Sequence, residues 1–379
     1  MRIVVAPDSF KGTLTAVEVA AAMADGIGSV WPNAEVIQLP LADGGEGTLA
    51  ALAATGTYQL VKTTVPNQAG SPVEARWAWD PIWRVAVVES AQAVGLELVP
   101  AGRRDVYFLN SAGVGELIRA ARQRGARRIV LTVGGTGTID AGIGMMHALG
   151  LRFRAADGSE LDPIPNQMTN LATVDSSELD PDLAEVEFVL ATDVDNPLVG
   201  ADGAAAEYGP QKGLPAAKIP ALDQILARIA RCCTVDGTGG LELAPGAGAG
   251  GGLGWAALNL LRARRVSGAT LVAELSGLAN AISGADLVLT GEGRVDQQTL
   301  RGKTALQVVE QASAAGVPSF VIGGQVLAGA NQLLARGAAA VIPLGYLSHA
   351  RGAELDRTAE RIRRTTRDLC RTLEVGRRL

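Results

Sequence analysis

At 379 residues, with 47% hydrophobic and 19% charged residues, the chain has the composition of a packed globule, and its length favours two domains over one core. A formal net charge of −5 leaves no basic footprint for nucleic acid, so any anion must be met by locally gathered cations. Three cysteines (Cys232, Cys233, Cys370) build no disulfide framework, which fits a reducing cytoplasm, and two histidines (His147, His349) argue against a multi-histidine metal centre.

The opening run to Asp8 carries charge too early for a signal peptide. Residues 3–6 form a short β-branched run that stops at Asp8-Ser9-Phe10-Lys11-Gly12, and residues 17–27 then have helical spacing. Residues 36–41 stop at Asp43-Gly44-Gly45-Glu46-Gly47, before a small helix-like run at 49–54. The rhythm breaks at 58–88, where strand-like runs at 59–65, 73–79 and 85–88 and a turn at 66–70 suggest antiparallel pairing and entry into a second domain. Strand-like runs recur at 129–133, 186–191, 286–289 and 317–322. They stop at Gly134-Gly135-Thr136-Gly137, Thr192-Asp193-Val194-Asp195-Asn196, Thr290-Gly291-Glu292-Gly293-Arg294 and Gly323-Gly324-Gln325. The uncharged stretch 243–261 is too rich in glycine for a membrane span and reads as a loop leading into a helix. The last segment, 355–373, sets Leu355, Ala359, Ile362, Leu369 and Leu373 on one face of a solvated amphipathic helix.

Strands alternating with helices imply an α/β fold with parallel sheets covered on both faces, and ligands bound beyond the carboxyl ends of the strands. The expected organisation is a discontinuous first domain, 1–58 with 286–379, interrupted by an inserted domain at 59–285 that carries some antiparallel strands.

Each polar string has a plain reading beside a chemical one. Lys11 at a helix N-terminus would suit a carboxylate or phosphate; a capped helix with an exposed lysine is the alternative. Asp43 and Glu46 among glycines suit Mg²⁺ better than a simple turn, because that ion takes oxygen ligands. Asp193 and Asp195 would share an ion or deprotonate a hydroxyl, or else cap a turn before Pro197. The run 245–254 matches GxGxxG formally, but Pro245 precedes it and no acid lies between Glu242 and Glu274, so a phosphate loop fits better than a dinucleotide fingerprint. Gly302-Lys303-Thr304 ends like a Walker loop, yet position 297 is glutamine where that loop needs glycine. The surrounding cations and acids still suit phosphate and carboxylate recognition, with surface ion pairing as the alternative. His147 reads as a packing or capping residue, and Ser90 and Ser111 have no evident histidine partner.

In order and spacing these strings resemble the type I glycerate kinase family over most of the chain. The carrying segments are Ala6-Pro7-Asp8-Ser9-Phe10-Lys11-Gly12, Pro40-Leu41-Ala42-Asp43-Gly44-Gly45-Glu46-Gly47, Gly115-Glu116-Leu117-Ile118, Asp193-Val194-Asp195-Asn196-Pro197-Leu198, Gly209-Pro210-Gln211-Lys212-Gly213 and Leu289-Thr290-Gly291-Glu292-Gly293-Arg294 through Gly302-Lys303. The resemblance implies a Rossmann-like domain plus a second α/β domain, ATP with Mg²⁺, and phosphorylation of D-glycerate, at the 2-hydroxyl as in the bacterial enzymes. Two departures bear on the acceptor site. Ile139 stands where an asparagine is common, and Asn110-Ser111-Ala112-Gly113 replaces a Thr-Thr-Tyr-Gly-like pattern.

The expected roles follow from phosphoryl transfer, which needs positioning and neutralised charge. Asp193 is the expected base, with Lys11 and Arg294 on the carboxylate or transferring phosphate and Asp8, Ser9 and Asp296 also at the substrate. Gly248, Gly250, Gly251, Gly252 and Lys303 would hold the nucleotide, and Asp43, Glu46 and Asp195 the Mg²⁺. Closure of the two domains would exclude water. Transfer to the 3-hydroxyl or to a related hydroxy acid, a non-catalytic hydroxy-acid sensor and a dehydrogenase remain the rival readings. No nucleic-acid or membrane partner is expected, and the sequence leaves open whether identical chains assemble.

Overall fold

The computed structural model describes residues 1–233, 240–297, 299–344 and 354–378. It divides into two compact units: Met1–Thr57 with Ser267–Leu379, and Tyr58–Val266. Residues 267–285 therefore go with the first unit and not with the insertion.

In chain order the strands are β1 (Arg2–Val5), β2 (Glu35–Gln38), β3 (Gln59–Pro66), β4 (Pro72–Asp80), β5 (Val85–Glu89), β6 (Arg128–Thr132) and β7 (Arg152–Ala155). There follow β8 (Glu160–Leu161), β9 (Leu171–Asp175), β10 (Glu187–Ala191), β11 (Arg264–Val266), β12 (Leu287–Val295), β13 (Ser319–Val326) and β14 (Ala338–Pro343).

The first unit holds a parallel sheet in the order β14-β13-β12-β1-β2. Alternation along β1 explains why it is buried on both faces. Ile3 and Val5 pack with Val19, Met23 and Ile27 of the helix Ala16–Gly28 and with Ile362 and Cys370 of the helix Glu354–Arg378. Val4 and Ala6 pack on the other side with Ala51, Val272, Leu278 and Val308. In the final helix Ala359, Ile362, Leu369 and Leu373 share the inward face as expected, while the side chain of Leu355 lies outside the described residues. The chain leaves β1 towards β2 on one side and returns as β12 on the other, so β1 and β12 flank a topological switch point.

The inserted unit holds a sheet in the order β11-β10-β6-β5-β4-β3. β3, β4 and β5 pair antiparallel, and β5, β6, β10 and β11 pair parallel. A small antiparallel sheet, β8-β7-β9, falls in sequence between β6 and β10. Parallel pairing thus resumes at β5 and β6, well before residue 285. The stretch 243–261 forms glycine-rich turns and then the helix Leu253–Asn259. Among the described residues no helix is long and apolar enough to cross a membrane.

Two glycine strings expected as loops are strand. β12 continues through Gly291-Glu292-Gly293-Arg294, paired with β13 as far as Val295 opposite Val326. The glycines serve close approach between these strands. A Cβ on Gly291 would lie 2.3 Å from the Ile322 carbonyl oxygen, and one on Gly324 would lie 2.5 Å from that of Gly293.

The helices Ala16–Gly28 and Glu354–Arg378 meet at Gly26, where a Cβ would sit 2.6 Å from the Arg363 carbonyl oxygen and 2.8 Å from Thr366 Cβ. Gly26→Leu is therefore expected to lose about 1–3 kcal/mol through overpacking. Gly28→Ala, with nothing within 4 Å of its new Cβ, serves as the control. Equal thermal unfolding midpoints for the two variants would contradict this packing.

Candidate active site

The strand ends at the switch point carry most of the expected site residues of the first unit. After β1 the Asp8 N–H donates to the Gly291 carbonyl at 2.8 Å, which seats Asp8 beside β12. Its carboxylate accepts from Thr304 Oγ1 at 2.7 Å and from the Ser9 N–H at 2.6 Å. Burial first, and then the neighbouring Asp43 carboxylate, raise the Asp8 pKa against the pull of those donors.

Thr290, Glu292 and Arg294 alternate with glycines and share one face of β12. Arg294 is exposed and its Nε pairs with Asp296 Oδ2 at 2.7 Å. Glu292 is 7% exposed, and its Oε1 has no hydrogen-bond partner. Burial pushes its carboxyl up to about 7, opposed by a hydrogen bond from Thr299 and by Lys303, and aided by Asp8 and Asp296. Lys303 is the N-cap residue of the helix Thr304–Ala314. Asp8, Asp43, Glu292, Asp296 and Lys303 thus form one electrostatically connected group with more acids than cations. Glu292 stood inside a motif read from the sequence but received no role there, because nothing in a linear string shows that its carboxyl is buried.

Lys11 departs from expectation. It is exposed in a tight turn closed by the Phe10–Leu14 bridge, and the next helix begins only after Thr15. That helix end is closed by a capping box in which Thr15 Oγ1 accepts from the Glu18 N–H and Glu18 accepts from the Thr15 N–H. Lys11 therefore does not stand at a helix N-terminus. Asp43 and Glu46 lie on the loop before the helix Thr48–Ala54, with Asp43 Oδ1 accepting from the Gly45 N–H at 3.2 Å and Glu46 exposed.

In the inserted unit, Asp193 and Asp195 follow β10 and both are exposed. Asp195 is engaged by Arg265 Nη2 at 2.6 Å. Among the described residues no three His, Cys, Asp or Glu side chains gather into a metal site.

The glycine-rich run is a packing element. Gly248 donates its N–H to the Asn196 carbonyl at 2.9 Å, and Gly251 and Gly252 donate within the run. A Cβ would come within 2.2 Å of Pro197 O at Gly248, 1.9 Å of Thr138 O at Gly251 and 2.5 Å of Ala141 Cα at Gly252. These glycines let backbone meet backbone. Gly250 differs in lining a cavity of about 180 Å³ at the carboxyl ends of β6 and β10.

Two further residues received no role from the sequence. Asp140 is fully buried and accepts from the Ser111 N–H and Oγ and from the N–H groups of Gly142 and Gly144, at 2.7–3.2 Å. Ser111 is thereby occupied in structure, and Ile139 lies wholly in the core. Lys212 is buried, with Nζ donating to Thr136 Oγ1 at 3.2 Å and to the Thr138 carbonyl at 2.9 Å. The resembling Gly-Pro-Gln-Lys-Gly string was the sequence signal for it. His147 packs on Phe153, with ring centroids 6.5 Å apart. A larger cavity of about 600 Å³ lies at the opposite, amino ends of β10 and β11, lined by Glu187, Phe188 and Arg264 among others, away from the polar strand ends.

The raised Glu292 pKa makes a pH prediction. The folded carboxyl keeps its proton up to about 7, while the unfolded one loses it near 4.5. Its stabilising contribution is full below pH 4.5 and is lost as pH rises through 7. Glu292→Gln should flatten this fall, by up to roughly tenfold in the unfolding constant per pH unit within the window. Urea unfolding at several pH values tests this, and identical pH dependence in both proteins would refute it.

The comparisons with known proteins agree over the whole chain. The glycerate kinase family is matched over residues 3–374. A glycerate kinase of Bacillus subtilis (strain 168) is 38% identical over 376 residues, covering 99% of this chain and 98% of the relative. A glycerate 2-kinase of Escherichia coli (strain K12) is 38% identical over 383 residues, covering 100% and 99%. A crystal structure of a provisionally assigned glycerate kinase 2 from Salmonella typhimurium LT2 superposes with a TM-score of 0.89 at 38% identity, each chain covered in full. Similarity of that extent, with acids and cations seated at the carboxyl ends of parallel strands, places the chain in the glycerate kinase family, and it is a kinase.

Proposed function

We propose that this kinase transfers the γ-phosphoryl of ATP to the 2-hydroxyl of D-glycerate, giving 2-phosphoglycerate. The observation that carries this reading is the identity of 38% across the full length of a relative described as a glycerate 2-kinase. The reaction draws on cytoplasmic ATP, so the cytoplasm is its expected setting.

Asp193, at the end of β10, is the proposed base for the acceptor hydroxyl. Lys11 and Arg294 are the proposed carboxylate clamp, with Asp8, Ser9 and Asp296 setting its surroundings. Lys303 and Gly250 are the proposed nucleotide contacts. The donor set fits Mg²⁺, because the neighbouring carboxylates Asp8 and Asp43 offer hard oxygens, and that ion takes one or two carboxylates together with substrate phosphates. Asp43 and Glu46 are its proposed ligands, with Asp8 beside Asp43 as a further oxygen donor, and when bound with nucleotide it would supply charge neutralisation at the transferring phosphate.

The choice of hydroxyl follows from torsional freedom. Glycerate offers two hydroxyls one carbon apart, and a clamp on the carboxylate fixes the nearer one more tightly. Incubation with MgATP and D-glycerate, followed by enolase, tests this directly. Phosphoenolpyruvate should form without a mutase, and ATP should be consumed in proportion to glycerate. Product that enolase accepts only after phosphoglycerate mutase is added would mean transfer to the 3-hydroxyl. ATP turnover indifferent to glycerate would remove the assignment.

Asp193→Asn should lower the turnover number at least about a hundredfold, as for a lost general base, while ADP still binds. Near-normal turnover in a folded variant would pass the role to another carboxylate.

A further inference from the structure

The cavity of about 180 Å³ in the inserted unit is lined by Gly135 and Thr136 after β6, Thr192 and Val194 after β10, and Lys212 and Gly250. Parallel α/β sheets bind ligands at that end of their strands. Lys212 is 3% exposed and is the one lysine or arginine among the buried polar residues described. Burying an ammonium is costly, and its usual partner is a carboxylate within hydrogen-bond reach. Here both hydrogen-bond acceptors are neutral, a hydroxyl and a carbonyl, and they occupy two of three donors. The Tyr208 ring, 5.5 Å from Nζ, closes another side. Asp140 acts on Nζ electrostatically but is not one of its hydrogen-bond acceptors.

We propose that this cavity is an oxyanion subsite, with Lys212 as its fixed charge, that takes the carboxylate of the small acid or a phosphoryl group of the nucleotide. The inference rests on the D-glycerate reading above and deepens it; where the group taken is the carboxylate, Lys212 stands in the anchoring role given there to Lys11 and Arg294. The volume lies below the roughly 300–1,000 Å³ of sites that enclose drug-sized ligands, so it admits a three-carbon acid or one phosphoryl end and not a whole nucleotide. Burial holds the Lys212 ammonium down to about 7, against the pull of Asp140. The titratable groups facing it are Asp140, from the loop after β6, and Tyr208, from the helix Ala204–Tyr208. An arriving oxyanion restores the charged form, so binding at pH 8 takes up a proton.

Isothermal titration of D-glycerate, ADP and inorganic phosphate, at pH 8 in two buffers of different ionisation enthalpy, tests the site without requiring turnover. Lys212→Met should raise the dissociation constant of one reactant roughly 10- to 100-fold, the loss of one charge-assisted hydrogen bond, and abolish its proton uptake. Lys212→Arg should keep more of the affinity but take up no proton, because guanidinium is always charged. Loss confined to D-glycerate identifies the ligand group as carboxylate, and loss confined to ADP identifies it as phosphoryl. Should Lys212→Met fail to fold, Val194→Trp at the exposed lining position decides, with the same loss expected. Unchanged binding in a folded Lys212→Met, or in Val194→Trp, overturns the proposal, as does the absence of any binding of the three probes. A protein that binds ADP through Lys212 yet does not phosphorylate D-glycerate would keep the subsite and lose the D-glycerate reading.

Discussion

A carboxylate withdrawn from water must be met by donors or surrender its charge. The polar ends of both sheets are arranged around that requirement. Asp140 combines the two: four donors from Ser111, Gly142 and Gly144 converge on it and fix its loop, yet burial still raises its pKa against their pull. Glu292 shows the second. It has an orphaned oxygen, acids among its neighbours and a carboxyl that titrates near neutrality. Asp140 has donors on both oxygens, whereas Glu292 has a bond from Thr299 and one oxygen unmet. Asp8 follows Asp140 in kind, tied to Thr304 and Ser9 yet raised by burial and by Asp43.

These acids stand where they do because parallel strands end together. Beyond Val5 the chain stays on β12 as far as the Asp8–Gly291 hydrogen bond while β12 itself runs on to Val295, which brings Asp8 and Glu292 together at that end of the sheet. Glycine makes the crowding feasible. Gly44 and Gly268 approach so closely that a Cβ on Gly268 would sit 2.2 Å from the Asp43 carbonyl oxygen. The run from Gly248 to Gly252 does the same in the inserted unit, so its glycine content reflects contact between backbones. Such rigidity suits phosphoryl transfer, whose catalysis is chiefly positioning and charge neutralisation.

The kinase assignment also gives the charge balance a sense. An acid-rich group with Lys303 and Arg294 at its margin would repel a bare triphosphate and accept one whose charge is shared with a divalent ion. The inserted unit, taken by itself, holds a buried ammonium beside neutral oxygens. A carboxylate-binding sensor would have little use for the first of these groups.

The amino-acid pattern by itself determined the alternating strands and helices, the antiparallel interlude after residue 58, the inward face of the last helix and, through the order of its motifs, the family. These are local or additive signals, set by periodicity and by strings that keep their spacing. It misjudged the strings whose meaning depends on what lies opposite them. Gly291 to Arg294 read as a loop because glycine is a turn former, whereas the neighbouring strand required glycine for clearance. Lys11 reads as a helix N-terminal residue from its place after a strand, whereas the Thr15–Glu18 capping box starts the helix four residues later. Glu292, Asp140 and Lys212 were visible as letters and silent as chemistry, since burial and the choice of donor belong to residues far away in sequence. Only the tertiary structure decided those, because desolvation is a property of the surroundings and not of the residue.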